Sequence, residues 1–442
     1  MFFDSMIEPS YHVYQDRRAD LVKEVKKEYH DVKNGLVVFF ASLENAVDIP
    51  FRQDGTFYYF TGIQEGGFVI SIDLEGSSGV FVPNCNGFKK KWTGVVTEPT
   101  QEYAEKLSFS KAEFLGDEFK AVSVCPYAKK RVYANLVKKM SDVIESGGKI
   151  FVLQSEDDCE YFEQRFILDR IKTFLPNAKE EHFVDISPLV AKMRRKKSLF
   201  EIGKISESIN LTAYAHDVAA RTIKNDALER EVQAGAEYIF TAAGAVPAYR
   251  TIVGSGQNGP ILHYTQNGGQ MKDGQLVIVD VGAKLDHYCA DITRTYPVSG
   301  KFTERQRELY NIVLETQQYI ASIAKPGYVL KTRKGQEHDK CLKTLTKKFL
   351  DDKGGYGKYF THGIGHYLGL DVHDVGDPYA PLEEGDVITI EPGIYIPEEQ
   401  IGIRIEDNYW ITKDKAICLS DMIPSDADQI EEFMKSGLTE SQ

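Results

Sequence analysis

The chain has 442 residues, with 53 Lys and Arg against 66 Asp and Glu, a formal net charge of −13, 42% hydrophobic residues and 27% charged residues. At roughly 150 residues per domain this length supports two or three domains, and the mix is that of a globular chain with enough apolar material for two cores. A chain this acidic repels phosphate backbones, which argues against nucleic-acid binding, and no run approaches the roughly 20 apolar residues of a membrane-spanning helix.

Met1 to Glu8 lack a basic start and an apolar stretch, so no secretory signal is expected. Residues 11–30 read as an amphipathic helix, and 35–40 (Gly-Leu-Val-Val-Phe-Phe) as a buried strand. Further strand-like runs stand at 57–60, 67–72 and 149–153, with helical stretches at 102–106, 133–144 and 161–174. This alternation predicts an α/β layer domain. Two short basic runs, 89–91 and 194–197, read as solvated faces.

A boundary is expected between 184 and 197, where Ser187-Pro188 opens a helix, giving domains 1–190 and 191–442. Beyond it come a long helix over 198–224, a glycine-dense stretch, strands at 276–281 and 291–297, and a helix over 304–323. Strands return at 386–390, 402–405 and 408–411, which predicts an α+β domain dominated by antiparallel pairing. The six cysteines are scattered without a CxxC pair, as expected of reduced thiols in a cytoplasmic protein.

Three stretches of the second half concentrate groups that bind metals. An apolar run ends in Asp280, and a ten-residue connector leads to the strand that begins at Asp291. Folded back as a hairpin, the two would bring both carboxylates to one rim, although strand-ending aspartates are also common in turns. Next, His362, His366 and His373 place three of the ten histidines within twelve positions. Glycines on either side make a regular helix doubtful there, and the second place of an HExxH motif is not Glu. Finally, Glu391 and Glu406 each stand at or within an apolar run, where an unpaired charge is costly. Arg404 can serve one of them by its fork geometry, whereas metal coordination serves both.

Asp280, Asp291, Glu391 and Glu406 together carry four negative charges, the match of two divalent cations, and one neutral histidine adds a fifth ligand. Oxygen-rich ligation with one imidazole suits hard or borderline ions such as Mn²⁺. Two cations about 3.5–4 Å apart share and acidify a water, which points to a hydrolase. Which clustered histidine touches metal stays open at this level.

At these residues the chain resembles the Xaa-Pro aminopeptidases (aminopeptidase P) of the pita-bread metallopeptidases, a group that also includes prolidase, methionine aminopeptidase and creatinase. The resemblance is carried by Asp280, Asp291, His366, Glu391 and Glu406 in order. The phrases Ile252-Val253-Gly254-Ser255-Gly256, Ile261-Leu262-His263-Tyr264-Thr265 and Glu391-Pro392-Gly393-Ile394-Tyr395 agree with it, and it covers residues 198–430. Pro50-Phe51-Arg52-Gln53 and the run 57–62 extend it to the family's amino-terminal domain. Methionine aminopeptidases lack that domain, and creatinase does not use the metal set, which is complete here. One departure is Arg250, where a smaller polar residue is expected.

The resemblance implies an α/β N-terminal domain followed by an α+β pita-bread (creatinase/aminopeptidase) catalytic domain. It also implies two divalent metals, Mn²⁺ before Co²⁺ or Zn²⁺. In that scheme Asp280 chelates one metal, His366 and Glu391 the other, and Asp291 and Glu406 bridge. Glu391 doubles as proton shuttle; His263, His362 and His373 line the pocket; Tyr395 and Arg404 orient ligands and substrate. The implied activity is hydrolysis of the bond between an N-terminal residue and a following proline, by a hydroxide bridging the metals, in a homodimer or homotetramer. That bond is a tertiary amide without N–H, beyond the reach of peptidases that grip the hydrogen. Prolidase, restricted to dipeptides, is the alternative within the family. A scaffold protein without catalysis is the alternative outside it, favoured by loss of a ligand, and none is lost.

Overall fold

A computed structural model describes residues 11–44, 51–94, 96–121, 124, 129–155, 161–336 and 339–436. The N-terminal signal reading, Pro50, Cys125 and Cys159 fall outside the described residues. The chain divides into two compact units, Met1–Arg194 and Arg195–Gln442.

The first unit runs α1 (His12–Glu28), β1 (Gly35–Phe40), α2 (Gly55–Thr61), β2 (Val69–Asp73), β3 (Ser78–Val82), α3 (Asn86–Thr93), α4 (Gln101–Lys106), β4 (Lys111–Phe114), α5 (Ala134–Glu145), β5 (Lys149–Val152), α6 (Phe162–Lys172), β6 (Phe183–Asp185) and α7 (Ser187–Arg195). Its six strands form one sheet in the order β4-β3-β2-β1-β5-β6. The β1–β2 and β2–β3 pairs are antiparallel, and β3–β4, β1–β5 and β5–β6 are parallel. Central β1 is buried along its length, as its unbroken apolar run requires, and Leu36, Val38 and Phe40 join Ile150, Leu168 and Met140 in the core.

Residues 57–60 are helical, not a strand. Asp54 Oδ1 accepts the Phe57 N–H at 2.7 Å, and Gly62 ends the turn at φ 68°. All seven residues of α2 are buried, so a short apolar run shows no periodicity by which a helix could be told from a strand. A Cβ at Gly62 would clash with the Tyr14 ring, so position 62 needs glycine for both conformation and space.

The second unit runs α8 (Leu199–Thr222), α9 (Glu229–Ala242), β7 (Val246–Pro247), β8 (Ile252–Ser255), β9 (Leu276–Val281), β10 (Ala283–Leu285), β11 (Tyr288–Cys289), β12 (Ile292–Pro297), α10 (Glu304–Ile323), α11 (Leu342–Asp352), β13 (Val387–Ile390), β14 (Gly393–Ile396), β15 (Ile401–Arg404), β16 (Asp407–Ile411), β17 (Ala416–Cys418) and α12 (Ala427–Ser436). Its strands pair antiparallel in small sheets: β11-β10-β7, β12-β9-β8, β13-β16-β17 and β14-β15. Long helices flank them. Both α8 and α10 start in capping boxes, Ser198 with Glu201 and Thr303 with Gln306, each worth about 1 kcal/mol.

The basic run 194–197 is not a solvated face, because three of its four residues are buried and partnered. Arg194 donates to Thr56 Oγ1 at 2.8 Å, Arg195 forks onto Asp386 at 2.6 and 2.7 Å, and Lys197 meets Asp374 at 2.7 Å. In the other run Lys89 is buried and lies 3.4 Å from Glu44. Sequence lacks the distant carboxylates that make such burial tolerable. Among the described residues no helix is long and apolar enough to cross a membrane, and Cys85, Cys289, Cys341 and Cys418 are free thiols.

Candidate active site

Strand ends supply the carboxylates. Asp280 is the penultimate residue of β9, Asp291 immediately precedes β12, Glu391 follows β13, and Glu406 lies between β15 and β16. The antiparallel β9–β12 pair sets Thr293 opposite Asp280, so the hairpin drawn from the sequence exists and carries both aspartates at one end. A bridge between Thr293 and Glu406 brings the third carboxylate alongside. His366 comes from an irregular segment pinned to β13: its N–H donates to Thr389 Oγ1 at 3.1 Å, and the Thr389 N–H donates to the His366 carbonyl at 2.9 Å.

Asp280, Asp291, His366, Glu391 and Glu406 line one cavity of about 430 Å³, together with His263, His362, His373 and Arg404. Donor atoms of Asp291, His366 and Glu406 lie within 4.8 Å of one another. His366 Nε2 is 3.3 Å from Asp291 and 3.7 Å from Glu391. Its Nδ1 donates to the Tyr367 carbonyl at 3.0 Å, which fixes the tautomer and leaves Nε2 facing the carboxylates. His373 stacks edge-on against His366 with ring centres 4.3 Å apart.

Arg404 serves neither glutamate as its main partner. Its guanidinium bonds Asp280 at 2.6 Å and the Tyr395 hydroxyl at 3.0 Å, and its Nε stands 4.0 Å from Glu406. Tyr395 completes a chain. His362 Nδ1 donates to the Gly363 carbonyl at 2.7 Å, so its Nε2 is the acceptor for the Tyr395 hydroxyl at 2.8 Å. Burial, with Arg404 nearby, accordingly pushes His362 down to about 3.

The carboxylates have too little positive charge around them. Two negative charges 4.8 Å apart repel by about 3.5 kcal/mol at an effective dielectric near 20. Burial first, and then Asp291, Glu391 and Asp280, hold Glu406 well above the usual carboxylate range. Glu391 rises to about 7 through burial, against the opposing pull of His366 and Arg404. Burial also raises Asp280, with Arg404 opposing. His366 is lifted to about 9: burial disfavours its charge, but the hydrogen bond and charge of Asp291 outweigh that cost. Four carboxylates and an imidazole, with the Arg404 guanidinium bonded to one of them, form a candidate metal-binding group whose charge bound cations would balance.

Several residues that hold this group escaped the sequence reading. The Tyr249 hydroxyl donates to Asp280 at 2.5 Å, and Thr293 Oγ1 donates to Glu406 at 2.6 Å while accepting Arg404 Nε at 3.1 Å. Asn408 clamps Asp291 by its backbone, giving its amide N–H to the Asp291 carbonyl at 2.5 Å and taking the Asp291 N–H at 3.2 Å. From the middle of α10, buried Gln317 donates to the carbonyls of Ile390 and Ile405, the residues just before the two glutamates, at 3.1 and 3.2 Å. Arg250, Tyr249's neighbour, also lines the cavity.

The chain matches metallopeptidase family M24 over residues 203–413 and the aminopeptidase P N-terminal domain over residues 14–124. It is 31% identical to Xaa-Pro aminopeptidase of Escherichia coli (strain K12), across 97% of this chain and 99% of that one. Similarity to Xaa-Pro dipeptidase of Pyrococcus furiosus is higher, 38%, but spans 56% of this chain and 69% of that protein. The solved structure of Zn-substituted E. coli aminopeptidase P in complex with product superposes with a TM-score of 0.79 at 28% identity, covering 98% of this chain and 99% of that one. The architecture expected from the sequence, α/β followed by α+β pita-bread, is the one observed, and the chain belongs to metallopeptidase family M24, in its Xaa-Pro aminopeptidase branch.

Proposed function

We propose that the chain is a metal-dependent aminopeptidase that hydrolyses the bond between an N-terminal residue and a following proline. The observation that carries this reading is the convergence of five oxygen and nitrogen donors, with three further histidines, on one cavity. Similarity along nearly the whole chain to an Xaa-Pro aminopeptidase, against partial similarity to a dipeptidase, favours the aminopeptidase over prolidase.

In this reading Asp280 would hold one divalent cation, His366 and Glu391 a second, and Asp291 and Glu406 both. The donor chemistry favours Mn²⁺ over Co²⁺ or Zn²⁺. When bound, such cations polarise a carbonyl oxygen and lower the pKa of water towards 7. Glu391, which lines the cavity beside His366, would accept a proton from the attacking water at its Oε and return it to the departing proline nitrogen. His263 and His373 orient the carbonyl and the proline ring. Neutral His362, held by Tyr395, offers a fixed wall and not a second charge. Tyr395 and Arg404 keep His362 and Asp280 in register. A cytoplasmic location, suggested by scattered free thiols, and a homodimeric or homotetrameric assembly belong to the same proposal.

Incubation of purified protein with Met-Pro and Met-Pro-Ala, with and without chelator, tests this. Release of methionine from the tripeptide, lost on chelation and restored by Mn²⁺, is expected. Full turnover after complete metal removal excludes the reading, and cleavage confined to the dipeptide selects prolidase instead.

A further inference from the structure

Among the described residues, one cation of the cavity has no partner of its own. Arg250 lines the pocket beside Tyr249 and is exposed. Among the described residues its guanidinium makes no hydrogen bond and no ion pair, in contrast to Arg404, which is buried and committed to Asp280 and Tyr395. The backbone that carries Arg250 is held on both sides. The Ala248 N–H donates to the Gly282 carbonyl at 2.9 Å, and the Tyr249 hydroxyl to Asp280 at 2.5 Å. On the other side Thr251 Oγ1 donates to Glu237 at 2.9 Å, and the Thr251 carbonyl accepts from Asn267 at 2.9 Å. An anchored backbone with a free side chain keeps the cation within reach of the cavity, and binding a ligand then costs only the ordering of the side chain's own rotamers.

The charge balance of the cavity gives that cation its meaning. Two divalent cations would cancel Asp280, Asp291, Glu391 and Glu406, and Arg404 is already engaged, so Arg250 is the cation left facing substrate. A planar guanidinium with its donors unused matches a carboxylate, which it can grip with two parallel N–H···O bonds.

We infer that Arg250 is a specificity-determining residue, which selects proline-containing peptides carrying a carboxylate near the cleaved bond. That carboxylate is either the side chain of an acidic first residue or the C-terminus of a short peptide. The inference rests on the peptidase reading above and adds to it a preferred class of substrate.

The metal-loaded full-length enzyme is assayed on Glu-Pro-Ala and Met-Pro-Ala, each as free acid and as C-terminal amide, and kcat/KM ratios are compared between wild type and Arg250→Asn. If the side chain is the source, the Glu/Met ratio falls roughly fivefold in the variant; if the terminus is, the acid/amide ratio does so. Arg250→Glu drives the affected ratio lower still, and Arg250→Lys restores part of it. In wild type the same ratio shrinks as salt rises, because an exposed pair is screened, a readout that needs no variant. Ratios that move less than twofold with both substitution and salt overturn the inference while leaving the peptidase intact. No cleavage of any of the four peptides overturns the peptidase reading itself.

Discussion

Thr293 shows how much of the site rests on residues that would touch no substrate. Its hydroxyl sits between Glu406 at 2.6 Å and Arg404 Nε at 3.1 Å, and its backbone bridges to Glu406. Thr293→Val keeps the volume but removes the donor, leaving one Glu406 oxygen and one Arg404 N–H unsatisfied in a buried site. Partners of this kind cost 10–100-fold in metal affinity or activity in other metal sites, about 1.4–2.7 kcal/mol. A similar loss in Mn²⁺ affinity is expected by calorimetric titration, with Thr293→Ser restoring most of it. Unchanged affinity in the valine variant would show that Glu406 needs no such orientation. At this scale the sequence announced the charged groups, because four carboxylates and a histidine cluster in apolar surroundings are anomalous wherever they fold. It stayed silent on Tyr249, Thr293, Gln317 and Asn408, whose types are ordinary and whose partners lie as much as 117 residues away.

Elements carry the next layer of control, and α8 shows how. Its His216 is fully buried, takes the Tyr296 hydroxyl on Nδ1 at 3.1 Å, and donates from Nε2 to the Ile292 carbonyl, also at 3.1 Å. The α8–β12 contact behind the aspartate hairpin is therefore tied through a neutral imidazole. Burial, with Arg294 adding to it, lowers His216 from 6.5 to about 3. The fold therefore binds this proton more weakly than the unfolded chain does. Its contribution is complete above pH 6.5 and is lost as pH falls towards 3, at up to about 1.4 kcal/mol per pH unit. Urea denaturation at pH 6 and pH 4 should show that loss in wild type and a shallower one in His216→Gln, whose amide does not titrate; equal slopes would assign the acid sensitivity elsewhere. Most elements were readable from local pattern. The strand Gly35–Phe40 and the helix Glu304–Ile323 occupy the residues expected of them, since an unbroken β-branched and aromatic run and a capped amphipathic period are local signals. Helix α2 was not, because four consecutive aromatic and apolar residues satisfy either period until Asp54 and Gly62 are seen to cap them.

Each half of the molecule has a core of its own. Leu36, Val38 and Ile150 belong to one hydrophobic cluster, and Val279, Leu309 and Ile403 to another. The candidate metal ligands all lie in the second unit. Ligand binding stabilises the part that binds, by about 4 kcal/mol when free metal stands 1,000-fold above its dissociation constant. Scanning calorimetry should therefore resolve two transitions, of which chelator lowers one and leaves the other in place. A single transition that shifts as a whole would mean that the two cores unfold as one cooperative unit.

By itself the sequence determined which residues carry charge into apolar surroundings, where most strands and helices lie, and to which family the chain belongs, because these depend on residue type, short-range period and order along the chain. The tertiary structure alone decided that Arg404 answers Asp280 and not a glutamate, that Arg195 and Lys197 are buried in ion pairs, and that His366 turns Nε2 towards the carboxylates while burial and Arg404 keep His362 neutral. These outcomes turn on which distant groups arrive within about 3 Å, and in a poorly solvated cavity that proximity sets hydrogen bonding and protonation, neither of which local sequence encodes.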